Sequence, residues 1–158
     1  MTPTTAESNL IETIAMFSDP AMQESEHALV VPPPAEFEPS VQAALQDLSN
    51  AIDEDQHSGD ITIVARAFLV AYAAHAGDMR KSGEPYIVHP IEVTRILAVM
   101  RLDGETMAAG LLHDVVEDTD ITLDQLVEIF GERVAQLVDG TTKLGKIQWM
   151  PEGEDHRT

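Results

Sequence analysis

The chain has 158 residues, 44% of them hydrophobic, which suits one domain with a buried core plus some extra length. Its formal net charge of −19, with no Lys or Arg before Arg66, excludes a protein that binds nucleic acid through bulk electrostatics. Having no cysteine, it can form neither a disulfide nor a thiolate metal site. No apolar run reaches the roughly 20 residues of a membrane span, and no basic-then-apolar start marks a signal peptide, so a cytoplasmic chain is expected.

Residues 1–39 read as an acidic, proline-containing tail, disordered by composition. Glu24 and Glu26 precede Pro32-Pro33-Pro34, and Pro39 follows. Proline lacks an amide donor and disfavours helix in the residue before it. Within this tail a short helix around Leu10–Phe17 is open, since Leu10, Ile11, Ile14 and Phe17 can share a face.

From Ser40, a plausible N-cap, the helical period appears in Val41, Ala44, Leu45, Leu48 and Ile52. Asp60 is expected to cap a second helix through about His75, with Gly77 as its stop. A polar loop spans residues 78–86. Pro90 suits the first turn of a third helix over 91–100. A fourth, rich in Ala and Leu, is expected over 104–116. Thr122 and Gln125 form a capping box for a fifth that ends near Phe130 and Gly131, and a sixth covers 132–138. No alternating strand pattern occurs. The predicted class is all-α, a bundle of packed helical hairpins.

Chemistry concentrates in three places. His113 and Asp114 end an apolar helix, and Glu117 and Asp118 lie four residues after each. Adjacent residues on a helix point about 100° apart, so His113 and Asp114 reach one cation only at a helix flank or where helices meet. Burying one imidazole and three carboxylates without a cation would be costly. Acids at a helix C-terminus also oppose the helix dipole. His89, before Pro90, is a second anchor, although an ordinary N-cap or surface histidine would look the same. With imidazole and carboxylate donors only, Mn²⁺, Fe²⁺, Mg²⁺ and Zn²⁺ all remain open.

The loop Arg80-Lys81-Ser82-Gly83-Glu84-Pro85-Tyr86 places two of the nine cations side by side. A guanidinium suits phosphate or a guanine edge. Gly83 allows close backbone approach, and Tyr86 offers an aromatic surface. The segment from Asp139 to Lys146 reads as a polar turn carrying Lys143 and Lys146.

Three blocks of text, in order, resemble the hydrolase domain of the RelA/SpoT family, bifunctional enzymes that make and degrade (p)ppGpp. They are residues 80–90 (RKSGEPYIVHP), 111–119 (LLHDVVEDT) and 138–144 (VDGTTKL). The resemblance implies an HD-domain-like helical bundle whose N-terminal part covers residues 40–147. It also implies His89, His113 and Asp114 as three of four protein ligands of a divalent ion, usually Mn²⁺. Glu117 and Asp118 would position or deprotonate the attacking water. Arg80, Lys81, Ser82, Tyr86 and Lys143 would hold a guanine nucleotide, ppGpp or pppGpp, and the reaction would remove its 3′-pyrophosphate.

The family's fourth ligand is an Asp in a later Ala-Asp-Arg-Leu-His-like segment, and no such segment precedes Thr158. The chain is therefore expected to be a fragment, inactive alone, lacking the rest of the hydrolase domain and the synthetase domain, with 148–158 as a loop. Two rival functions stand beside this one: an HD-type phosphohydrolase acting on another nucleotide, and a non-catalytic regulatory module that binds nucleotide.

Overall fold

The computed structural model describes residues 9–18, 31–52 and 58–148. Among the described residues the α-helices run in chain order: α1 (Leu10–Ser18), α2 (Pro39–Ala51), α3 (Ser58–Ala74), α4 (Val88–Val99), α5 (Gly104–Leu112), α6 (Val115–Asp118), α7 (Leu123–Phe130) and α8 (Glu132–Gln148). A 3-10 turn, Pro34–Glu36, precedes α2. Among the described residues β pairing is limited to one isolated bridge, Met79 with Pro85, so the all-α expectation holds. No described helix is long and apolar enough to cross a membrane.

The centre is α3. Its run Ala67-Phe68-Leu69-Val70-Ala71 is buried without interruption, because α1 packs on one side of the helix and α5 on another. A helix that is apolar on nearly every side is stable only inside such a layer. In turn, α4 lies between α2 and α5, while α8 packs on α7 and α5. Phe37, Phe68 and Tyr72 form an aromatic cluster, with the Phe37 and Tyr72 rings stacked at 4.7 Å. Arg66 spans to α7, donating to the Ile129 carbonyl at 3.2 Å and lying 5.6 Å from the centre of the Phe130 ring.

Several boundaries follow their sequence signals. The Thr122–Gln125 capping box is complete, with Gln125 N–H donating to Thr122 Oγ1 and Thr122 N–H to Gln125 Oε1. Asp103 caps α5 by accepting from the Thr106 amide at 2.9 Å. Gly77 at φ 86° and Gly131 at φ 97° sit where the chain leaves α3 and α7.

Other expectations need correction. Of the expected tail over 1–39, residues 10–18 form α1, the short helix that the spacing of Leu10, Ile11, Ile14 and Phe17 left open, and bury Leu10 and Ile14 completely, while Val31 and Phe37 also enter the core. A short amphipathic helix pays for its order once a partner face covers it, and α3 supplies that face. Gln42 Nε2 fastens the stretch before α2 by donating to the carbonyls of Phe37 and Ala35. Helix α2 begins on Pro39 with Glu38 at the cap position, not Ser40, since proline's fixed φ fits the first helical residue. Asp60 lies within the first turn of α3 rather than at its cap. The expected turn over 139–146 is helical, because α8 continues to Gln148. The loop expected over 148–158 lies outside the described residues beyond Gln148.

Candidate metal centre

Helix α5 stops at Leu112, and the expected continuous helix over 104–116 is broken at His113 and Asp114. The two residues form the corner from which α6 departs. Side chains that would diverge by about 100° on an unbroken helix can there face one point. Asp118 N–H donates to the Asp114 carbonyl at 2.9 Å, so α6 begins directly on the corner.

The opposite side of that point is built by the loop before α4. Arg80 N–H donates to the Glu84 carbonyl and Gly83 N–H to the Arg80 carbonyl, each at 2.8 Å, closing a tight turn. Gly83 occupies it at φ 94°, a conformation that side chains rarely adopt. Tyr86 N–H then donates to the Asp78 carbonyl, and His89 follows in the first turn of α4, two positions inside it rather than at its cap.

One donor atom each from His89, His113 and Asp114 lies within 4.8 Å of the others, and all three residues are half-buried. His113 Nδ1 donates to the Gly110 carbonyl at 2.6 Å, which leaves Nε2 as the free donor atom, 3.2 Å from Asp114 Oδ2. Such a backbone bond fixes tautomer and ring direction in metal-binding histidines. Tyr86 donates its hydroxyl to Asp114 Oδ2. The trio fits a divalent cation that accepts nitrogen and oxygen ligands.

Electrostatics agree with that fit. Burial lowers the His89 pKa, and the neighbouring His113 lowers it further, favouring the neutral ring a metal requires. For His113, burial pulls downward, but the hydrogen bonds to Asp114 and Gly110 outweigh it and the pKa is raised. Burial would raise Asp114, yet the hydrogen bonds from His113 and Tyr86 prevail and hold it ionised below the usual carboxylate range. The Tyr86 hydroxyl is raised by burial first and then by its bond to Asp114.

The remaining sequence candidates lie on α6, on the turn before α4 and on α8. Glu117 and Asp118 are exposed on α6, and Asp118's charge raises the pKa of both Tyr86 and His113. Asp118 follows Asp114 by one helical turn, with its amide on the Asp114 carbonyl, whereas His113 closes α5 and Glu117 belongs to α6. Arg80, Lys81 and Ser82 are exposed on the turn. Arg80 pairs with Glu84 at 3.0 Å and lies 3.9 Å from Glu92, and its charge lowers the His89 pKa. Tyr86 is half-buried with its hydroxyl committed to Asp114. Lys143 belongs to α8, with its side chain outside the described residues.

Sequence reasoning missed two positions. Gly110 supplies the carbonyl for His113 and lets α5 approach α4; its only signal is a glycine inside a helix. His75, at the end of an apolar helix, is 3% exposed and touches Tyr86.

The profile of the family described as HD domain matches residues 67–157. Over 89 residues the chain is 54% identical to a guanosine-3′,5′-bis(diphosphate) 3′-pyrophosphohydrolase of Vibrio cholerae, covering 56% of this chain and 13% of that protein. Over 109 residues it is 47% identical to the bifunctional (p)ppGpp synthase/hydrolase SpoT of Escherichia coli, covering 69% of this chain and 15% of that protein. A protein of Myxococcus xanthus named GTP pyrophosphokinase is 51% identical over 88 residues, 56% of this chain and 12% of that protein. The chain thus spans about an eighth to a seventh of the length of these relatives.

Proposed function

The chain belongs to the HD domain family, and from that premise we propose that it carries a Mn²⁺-dependent 3′-pyrophosphohydrolase site for guanosine 3′,5′-bis(diphosphate) and its pentaphosphate analogue. The observation that carries the proposal is the convergence of His89, His113 and Asp114 donor atoms within 4.8 Å, inside the residues that the HD domain family matches. Bound there, a divalent ion would lower the pKa of a water and draw charge from phosphoryl oxygens.

The chain's own groups divide the remaining work. His89, held neutral, and ionised Asp114 present lone pairs without first losing a proton at neutral pH. The raised pKa of His113 makes a proton compete with the cation there, so cation binding weakens as pH falls. Asp118, one turn beyond Asp114, and its neighbour Glu117 position the attacking water or take its proton. Arg80, Lys81 and Ser82 receive the guanine nucleotide, and Lys143 adds a further cation. The Arg80–Glu84 pair is exposed, so a polyanion can displace Glu84 from Arg80 at small cost. Tyr86, with its hydroxyl on Asp114, has only its ring left for the nucleotide. These cations offset the repulsion that a net charge of −19 exerts on such a substrate. A cytoplasmic location accords with a guanine nucleotide substrate.

The test follows pyrophosphate release from guanosine 3′,5′-bis(diphosphate) with Mn²⁺, in the protein at full length, for the native sequence and His113→Ala. Release by the native protein alone is expected; equal release by both defeats the assignment. Deoxynucleoside triphosphates and cyclic nucleotides, run alongside, decide whether another nucleotide is the substrate. Some relatives are named for synthesis rather than hydrolysis, which favours a second reading: a regulatory module that binds nucleotide without cleaving it. Nucleotide binding without any release selects that reading.

A further inference from the structure

His75 is a buried group that the chemistry above leaves unused. Its side chain is fully enclosed, and neither ring nitrogen has a hydrogen-bond partner among the described residues. The nearest recorded acid oxygen, Asp78 Oδ2, lies 3.6 Å from Nδ1, beyond hydrogen-bond reach. An aliphatic side chain would occupy this place without the cost of an unpaired buried polar ring. What the imidazole touches is Tyr86: the two rings meet edge-on, centroids 4.7 Å apart and planes at 67°.

Tyr86 joins both halves of the metal centre. Its ring lies 5.8 Å from that of His89 on α4, and its hydroxyl donates to Asp114 Oδ2 at the α5–α6 corner. The backbone of the same residue is tied to Asp78, whose own amide donates to the His75 carbonyl at 2.9 Å. His75, Asp78 and Tyr86 thus form one packed unit between the end of α3 and the ligands. The Asp114 Oδ2 that meets His113 Nε2 at 3.2 Å is the same oxygen that accepts the phenol's hydrogen bond, so the phenol fixes the oxygen nearest the ligand imidazole.

We propose that Tyr86 and His75 are positioning residues of this metal centre: Tyr86 fixes the Asp114 carboxylate, and His75, which ligates nothing, fixes the ring of Tyr86. The inference deepens the metal-site reading above and rests on it. Hydrogen-bonded partners of metal ligands typically govern affinity by about 10–100-fold. The phenol, which carries the bond, belongs in that range. The imidazole acts only through the phenol, so removing both loses no more than removing the hydroxyl alone.

The experiment measures Mn²⁺ affinity by electron paramagnetic resonance titration of the chain, native and as Tyr86→Phe, His75→Ala and the double variant. Thermal unfolding of each metal-free protein is recorded in parallel. Expected are a roughly tenfold or greater loss for Tyr86→Phe with little change in unfolding, a smaller loss for His75→Ala, and a double variant no weaker than Tyr86→Phe. Unchanged affinity in Tyr86→Phe overturns the inference, and so do losses that multiply in the double variant. If His75→Ala fails to fold, His75→Gln takes its place and the same comparison is read. Native chain that binds no Mn²⁺ at all removes the metal reading itself, a result distinct from native binding with unaffected variants.

Discussion

Gly110→Ala tests how closely α4 and α5 must cross for the metal ligands to meet. A Cβ at this position would lie 2.7 Å from Leu97 Cδ1 and 2.9 Å from Thr94 Oγ1. The Leu97 methyl is the tip of a half-buried side chain and can turn away. Thr94 cannot, because it is 0% exposed and its hydroxyl donates to the Pro90 carbonyl at 2.8 Å. Alanine gains about 1 kcal/mol over glycine in a helix interior. Over-packing a tight core contact costs about 1–3 kcal/mol. With the immovable partner on one side, the cost prevails and a net loss of up to about 2 kcal/mol is expected. For a chain of 158 residues this corresponds to a melting temperature lower by up to about 8 °C, read by circular dichroism on the metal-free protein. Thr94→Ala added to Gly110→Ala removes the atom that cannot move, so the double variant loses less than the sum of the singles. Mn²⁺ affinity falls as well, since His89 rides on α4 and His113 follows Gly110 on α5. A Gly110→Ala protein that unfolds at or above the native temperature refutes this account of the crossing.

Leu10→Ala asks whether α1 belongs to the folded unit. Leu10 is 1% exposed in the core, so urea unfolding is expected to lose about 2–5 kcal/mol; a change within error would return this segment to a tail. Asp103→Ala removes the α5 cap at a cost of about 0.5–2 kcal/mol. The same residue gives a pH signature. Its pKa is lowered, first by the hydrogen bonds from Thr106 and then by Arg133, so its contribution is complete above the ordinary carboxylate pKa and disappears as pH falls below it. Native and Asp103→Ala stabilities should therefore converge at acid pH, and a gap that widens on acidification contradicts the assignment. Mutating Asp103 also releases Arg133, which the structure places 3.1 Å from Asp103 and 2.8 Å from Glu105, an exposed pair adding little by itself.

Much of the architecture is written in local chemistry. The periodic apolar residues of α2, the Thr122–Gln125 box and the glycines at 77 and 131 act within a few residues of themselves, so each can be read without knowing what lies across the core. The site blocks were legible for a similar reason: histidine and acid spacing, and the text shared with the RelA/SpoT family, are properties of the chain alone. Prolines and acids in the first 39 residues were read as a tail, but the decisive fact there is non-local. Leu10 and Ile14 form a helix because α3 offers an apolar face nearly fifty residues later in the chain.

The sequence by itself determined the class, the helix-forming segments and the donor types available to a cation, because composition, period and residue chemistry are carried by each residue wherever it goes. Tertiary structure decided what those donors do together. The break after Leu112 turns His113 and Asp114 toward one point, and the close approach at Gly110 brings α4 and its His89 to them. Tyr86, expected as a surface for substrate, also bonds Asp114 through its hydroxyl, with a buried His75 beside it. Direction and distance between helices depend on how side chains pack across the core, and no stretch of sequence contains that information locally.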